Sequence, residues 1–233
     1  MQFNIGDVAR LFQVTEGTVI RWVQDENLPA ELVDSEYRFD RTELLEWAVL
    51  KKMRFSPAMF DQVNGGAVRE WSVADALMRG GISYRVRGGD RRSALRSVVD
   101  GLPLPASFDK DTLLQLFLAR ERLGTTAIGD GIAIPHPRVP VVLPVGAPLI
   151  HLALLDKGVD FGAPDGRPVT TVFAMVCPTV HDHLQLLAKL SLVLQDSRTR
   201  NVIAQHSSED AILGAIGTTN DAMRHAEVVE GRA

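Results

Sequence analysis

The sequence predicts an α/β protein, a mixed sheet flanked by helices, preceded by a small N-terminal module of three short helices and a two-stranded wing. Three observations lead there. From Ile82 onward the hydrophobic pattern alternates between strand-like and helix-like segments. Before residue 54, apolar residues recur at helical spacing in three short bursts, interrupted by a polar hairpin signal. Between these regions Gly65-Gly66 and Gly80-Gly81 bracket one further helical stretch. The expected organisation is a module at 1–53, a helical connector at 54–81, a main domain at 82–217 and a disordered tail at 218–233, where the residues become small and polar.

In the N-terminal module Ile5, Val8, Ala9 and Leu11–Phe12 mark an amphipathic helix. Thr15 is the expected N-cap of a second, which carries Thr18, Val19 and Trp22 and stops before Leu28-Pro29. Glu31 to Phe39 reads as the wing, turning at Asp34-Ser35-Glu36, and Arg41 to Leu50 as a third helix capped by Asp40 or Thr42. In the connector, Ala67 to Met78 puts Val68, Trp71, Val73–Ala74 and Leu77 on one apolar side, as a bridge or as a homodimerisation helix. In the main domain Ile82 to Val86 is a strand, Asp90 caps a helix through Val99, and Asp109 caps another at Asp111 to Arg122 with Gly124 past its end. Thr125 to Ile134 forms strand, turn and strand about Asp130-Gly131. Leu149 to Leu155 and Thr170 to Cys177 are apolar enough for central strands. His183 to Leu194 and Ser208 to Ile216 are the closing helices.

Composition bounds the function. With 45% hydrophobic and 23% charged residues in 233, the chain is an ordinary globular one. No apolar run approaches the ~18 residues of a membrane span. The most apolar region, Val139 to Leu155, is broken by Pro140, Pro144, Gly146, Pro148 and His151, and Asp7 and Arg10 interrupt any secretory core. A cytoplasmic protein without membrane insertion is expected. The single Cys177 excludes an internal disulfide, and its setting in TVFAMVC predicts a buried, inert thiol.

The segment GIAIPHPR, Gly131 to Arg138, holds His136 between two prolines. Each proline fixes φ and removes a backbone donor, and each drives the preceding residue toward extended geometry. A histidine so restrained presents its ring in one orientation, either to a reaction partner or to a structural neighbour. The longer string RERLGTTAIGDGIAIPHPR, Arg120 to Arg138, resembles the active-site signature of enzyme IIA domains of the fructose/mannitol type, from the phosphoenolpyruvate-dependent sugar phosphotransferase system. The nitrogen-regulatory branch shares that signature. The resemblance extends from about Ile82 to Ile216 and includes VDFGAPDGRPVTTVFAMVCP and HDHLQLLAKLSLVL in the family's order.

That resemblance implies that His136 is phosphorylated by the histidine phosphocarrier protein and passes the group to a IIB or regulatory protein, with no cofactor. It implies Arg120 as the arginine steadying the phosphoryl group and His183 as the second histidine. Thr125 and Thr126 stand where the family has hydroxyl donors, and Arg138 is a further candidate phosphoryl ligand. Histidine suits a carrier because its ring is substantially neutral near pH 7 and its phosphorus–nitrogen bond is labile. Transfer is mostly positioning and electrostatics, which the cations and donors would supply. A zinc site from His136, His181 and His183 is the competing reading, disfavoured because no further Cys or carboxylate recurs at ligand spacing. Two positions depart from the family pattern: Pro137 and Ala127 each replace a glycine.

The module FNIGDVARLFQVTEGTVIRWVQDENLPAELVDSEYRFDRTELLEWA is similar to the winged helix-turn-helix of excisionase and mercury-resistance regulators. The resemblance implies Thr15, Glu16, Thr18, Arg21 and Arg38 as DNA contacts. Charge pulls the other way. Residues 1–55 carry seven basic and ten acidic groups, a net of −3, whereas phosphate binding calls for a basic footprint. The expected function is a phosphotransferase-linked regulator. The alternatives are a sugar-transport component whose module only docks proteins, and an inert sensor.

Overall fold

The computed structural model describes residues 2–53, 70–106, 108–138 and 146–230, with side chains up to 219. The chain divides into two compact units, Met1–Ala67 and Val68–Ala233.

The first unit runs β1 (Gln2–Asn4), α1 (Ile5–Leu11), α2 (Glu16–Asp25), β2 (Glu31–Val33), β3 (Glu36–Asp40) and α3 (Arg41–Leu50). Each helix begins on a side chain that satisfies backbone donors otherwise left without partners. Asn4 and Asp7 form a capping box on α1, Thr15 caps α2, and Asp40 accepts from both Thr42 N and Glu43 N on α3. The wing turns through Asp34 and Ser35 at φ +48° and +65°, so β2 pairs antiparallel with β3. β1 adds to the other side of β3, giving the order β1-β3-β2. This strand is too short to show as periodicity and was not expected from the sequence. Phe12, Trp22 and Trp47 form the aromatic centre, with centroids 5.3–6.3 Å apart, and Trp47 Nε1 donates to Glu26 O.

The second unit runs α4 (Val73–Gly80), β4 (Ile82–Val86), α5 (Arg91–Gly101), α6 (Lys110–Leu123), β5 (Ala127–Gly129), β6 (Ile132–Ala133), β7 (Leu149–Val159) and β8 (Val169–Val176). Three helices follow: α7 (Val180–Val193), α8 (Ser197–Ala204) and α9 (Glu209–Glu230). The sheet order is β4-β7-β8-β6-β5. β4 lies parallel to β7 and β6 parallel to β8, while β7–β8 and β5–β6 are antiparallel, so the sheet is mixed as the sequence predicts. One face buries Ala153, Leu155, Val172, Ala174 and Val176 against Leu95, Val98 and Val99 of α5 and Leu113, Leu114 and Phe117 of α6. The strand period of two sends Ile150, Leu152, Leu154, Phe173 and Met175 to the opposite face, also fully buried. Cys177 is buried, and burial pushes its thiol pKa well up, as expected of an inert thiol.

Two expectations need correction. The connector helix begins at Val73, capped by Ser72, and belongs to the second unit; residues 54–69, including Gly65-Gly66, lie outside the described ones. The tail expected to be disordered from 218 is helical, because α9 continues to Glu230. The run from Ala222 to Glu227 is rich in helix formers, which outweigh its small residues. α8, capped by Asp196, was missed.

Gly80 sets how closely α4 approaches the sheet. A Cβ there would fall 1.9 Å from Ile150 O, so a larger residue forces the helix off β7. The same approach lets Gly80 O accept from His151 Nδ1 at 2.7 Å, leaving the buried Nε2 without a hydrogen bond. Burial lowers the pKa of His151, against the opposing pull of the Gly80 and Gly81 backbone bonds. The folded state thus favours the neutral ring, while an unfolded histidine titrates near ~6.5. Stability is unaffected well above that pH and falls as the pH drops through it, because the unfolded chain binds the extra proton. In urea titrations from pH 7.5 to 5.5, the wild-type midpoint should fall more steeply than that of His151→Asn. Equal slopes would remove His151 from the account.

Candidate active site

The proline-flanked loop continues β6 along β8. Ile132 and Ala133 pair with Thr171 and Val172, and beyond them Met175 N donates to Pro135 O at 3.0 Å. Asp130 and Gly131 turn β5 into β6 at φ +54° and +72°, the left-handed pair that an Asp-Gly hairpin supplies. On its other side Ile134 N donates to Thr126 O at 3.0 Å. Residues 134 and 135 are therefore held from two directions, and the prolines remove the remaining freedom.

His136 is 3% exposed, and its Nδ1 lies 2.7 Å from Ile134 O. A carbonyl can only accept, so Nδ1 carries the proton and the lone pair resides on Nε2. The His183 ring stands with its centroid 4.9 Å away at 57°, itself 2% exposed. His183 occupies the first turn of α7, where the helix end favours negative charge. His181, in the same turn, makes no hydrogen bond through either ring nitrogen. Among the described residues of the second unit, no third Cys, His or carboxylate joins His136 and His183 at metal-ligand distance.

The start of α7 is anchored from a segment that carried no site signal in the sequence. Trp71 Nε1 donates to Asp182 Oδ1 at 2.6 Å and Trp71 N to Gln185 Oε1 at 2.9 Å. Lys189 Nζ donates to Trp71 O and to Glu70. Thr179 closes the cap through Asp182. These buried polar groups fix the turn that presents His183.

Arg120, near the end of α6, is 9% exposed and donates from Nη1 to Gly124 O at 2.9 Å. Arg138 is exposed at the close of the loop. Thr125 and Thr126 are placed differently from the expectation that their hydroxyls face a phosphoryl group. Thr125 Oγ1 donates to Phe161 O at 2.7 Å, and Thr126 Oγ1 donates to Glu121 Oε1. Both act in the scaffold. Glu121 is the residue that sequence reasoning passed over, since the run RER resembles a solvated helix face. It is 6% exposed, and burial raises its carboxyl pKa against the lowering effects of Thr126, Arg91 and Arg120. Ala127, which replaces a glycine of the family pattern, has no positive φ, so the position does not need one.

In the first unit, Thr15 and Thr18 lie at the start of α2 with their hydroxyls 3.0 Å apart, and Thr15 Oγ1 also accepts from Thr18 N. Arg21 is exposed on the same helix, beside exposed Glu16 and Asp25. Arg38, on the wing, forms a 2.7 Å ion pair with Glu36.

The family model described as "Phosphoenolpyruvate-dependent sugar phosphotransferase system, EIIA 2" matches residues 80–218, and a helix-turn-helix domain model matches residues 3–48. A nitrogen regulatory protein of Pseudomonas aeruginosa is 33% identical over 131 residues, covering 54% of this chain and 82% of that protein. A phosphotransferase-system fructose-specific EIIA component of Haloferax volcanii is 34% identical over 124 residues, covering 52% and 73% respectively. Among solved structures, the nitrogen regulatory protein IIA-Ntr of Neisseria meningitidis superposes with a TM-score of 0.55 at 25% identity, covering 62% of this chain and 98% of that one.

Proposed function

Because this chain belongs to the EIIA 2 family of the phosphoenolpyruvate-dependent sugar phosphotransferase system and carries a helix-turn-helix domain ahead of that region, we propose that it is a regulator loaded with phosphate on His136. The observation that carries this reading is the bond from His136 Nδ1 to Ile134 O, which leaves Nε2 as the nucleophile. Nε2 attacks the phosphorus of a phosphohistidine on the histidine phosphocarrier protein. The new phosphorus–nitrogen bond forms as the donor's breaks, and the donor imidazole leaves with its electron pair. One phosphoramidate replaces another, so the step is close to balanced and reversible. A IIB or regulatory protein is the acceptor.

The neighbours are suited to the charge that arrives. Arg120 supplies a guanidinium for the equatorial oxygens, Arg138 a second cation at the rim, and His183 a ring donor in the first turn of α7. Thr125 and Thr126 support the loop. No helix among the described residues is long and apolar enough to cross a membrane, and action in the cytoplasm fits both the donor and the helix-turn-helix domain.

In this reading the module binds DNA through Thr15, Thr18, Arg21 and Arg38, with the wing toward the phosphates. The Arg38–Glu36 pair and the net charge of −3 over residues 1–55 favour a second reading, in which the module docks a protein within a sugar-transport assembly.

One experiment tests the phosphoryl site and a second separates the two readings of the module. Incubated with phosphoenolpyruvate, the first enzyme of the system and the histidine carrier, wild type should take up acid-labile phosphate. His136→Ala should take up none, and Arg120→Ala should load about 100-fold more slowly. Uptake by His136→Ala would end the proposal. For the module, full-length protein should select duplex sequences from a random pool, and Arg21→Ala should weaken binding and lower the salt slope by about one. Affinity that does not change with salt would favour the protein-docking reading.

A further inference from the structure

Arg120 and Glu121 are adjacent on α6, so their side chains diverge by about 100° around the helix axis. The divergence separates two tasks. Glu121 Oε1 accepts from Thr126 N at 3.1 Å and also from Thr126 Oγ1. Thr126 O then accepts from Ile134 N at 3.0 Å, and Ile134 O accepts from His136 Nδ1 at 2.7 Å. The carboxylate is thereby linked to the ring through one residue on either side of the β5–β6 hairpin. Oε2 makes no hydrogen bond and faces Arg91 Nη1 at 3.6 Å. Arg91 opens α5 and lies over the Phe161 ring at 5.5 Å, and Phe161 O accepts from Thr125. One buried carboxylate therefore joins the start of α5, the end of α6 and the loop that leads to His136.

We infer that Glu121 is a positioning residue for phosphoryl transfer: through Thr126 and Ile134 it fixes the orientation and the Nδ1–H tautomer of His136. The inference rests on His136 being the phosphorylated residue. A buried carboxylate is costly to keep, and a hydrophobic replacement of similar volume stabilises many folds as well or better. Here the carboxylate lies on a chain of hydrogen bonds that runs from α6 to the His136 ring.

The test uses the full chain with 15N-labelled histidine. In wild type His136 should show a protonated Nδ1 and an unprotonated Nε2 at pH 8. Glu121→Ala, with its circular dichroism unchanged, should average the two nitrogens and slow phosphate uptake between about 10- and 100-fold. Glu121→Gln, which keeps a carbonyl oxygen for Thr126, should restore the wild-type ring signature. Should Glu121→Ala not fold, the double variant Glu121→Leu/Thr126→Val decides instead, because replacing both partners by apolar groups of similar shape is close to neutral. A folded alanine or double variant with the wild-type ring signature and uptake within twofold overturns the inference. If wild type itself takes up no phosphate, the reading of His136 fails, yet the nitrogen signature still decides whether Glu121 orients the ring.

Discussion

The site depends on one backbone carbonyl. Ile134 O accepts from His136 Nδ1, and an imidazole with that nitrogen protonated has its nucleophilic pair on the other. The carbonyl can do this only because its own residue is held: Ile134 N reaches across to Thr126 O, and the next carbonyl, Pro135 O, accepts from β8. A free loop would let the ring rotate or exchange tautomers at little cost. The two prolines contribute by removing donors that would otherwise compete for the same acceptors. Sheet, hairpin and loop thus act together to fix the state of a single ring.

Around that ring the second unit concentrates buried polar groups that an ordinary core would exclude. Arg120, Glu121, Thr126, Asp182, His183, Gln185 and Lys189 are all buried. Each costs free energy on desolvation, recovered only where a hydrogen bond or an opposite charge is met. The structure meets that condition through specific partners: Gly124 O for Arg120, Thr126 for Glu121, Trp71 for Asp182 and Gln185, and Glu70 for Lys189. Removing one partner leaves the other buried and unsatisfied, so these groups specify a geometry more than they add stability. Phosphoryl transfer, which is limited by positioning, benefits from that kind of rigidity.

Much of this was legible in the chain. Thr15, Asp40, Asp90 and Asp109 announce helix starts, and the structure uses all four as caps. The Asp130-Gly131 dipeptide gave the hairpin, and the two apolar runs gave the central strands. The pairing of His136 with His183 came from motif order, because no local periodicity relates residues so far apart. What stayed hidden is tertiary. Glu121 carried no signal because a charged residue beside others on a helix usually faces solvent, and its burial rests on Thr126 and Arg91, which only the fold brings to it. Trp71 looked like one apolar position among several, since its indole N–H partner lies more than a hundred residues away. β1 is defined by its register with β3, and register has no signature in three residues.

The bare Cα at Gly80 has a consequence for how this fold can vary. Ile150 O stands where a Cβ would go, so α4 and β7 have one possible spacing, and the His151 ring takes its acceptor from that same glycine. Exchanging it would disturb the contact and the partner together, which closes the position to drift, whereas Met78 on the exposed side of the same helix is not so bound.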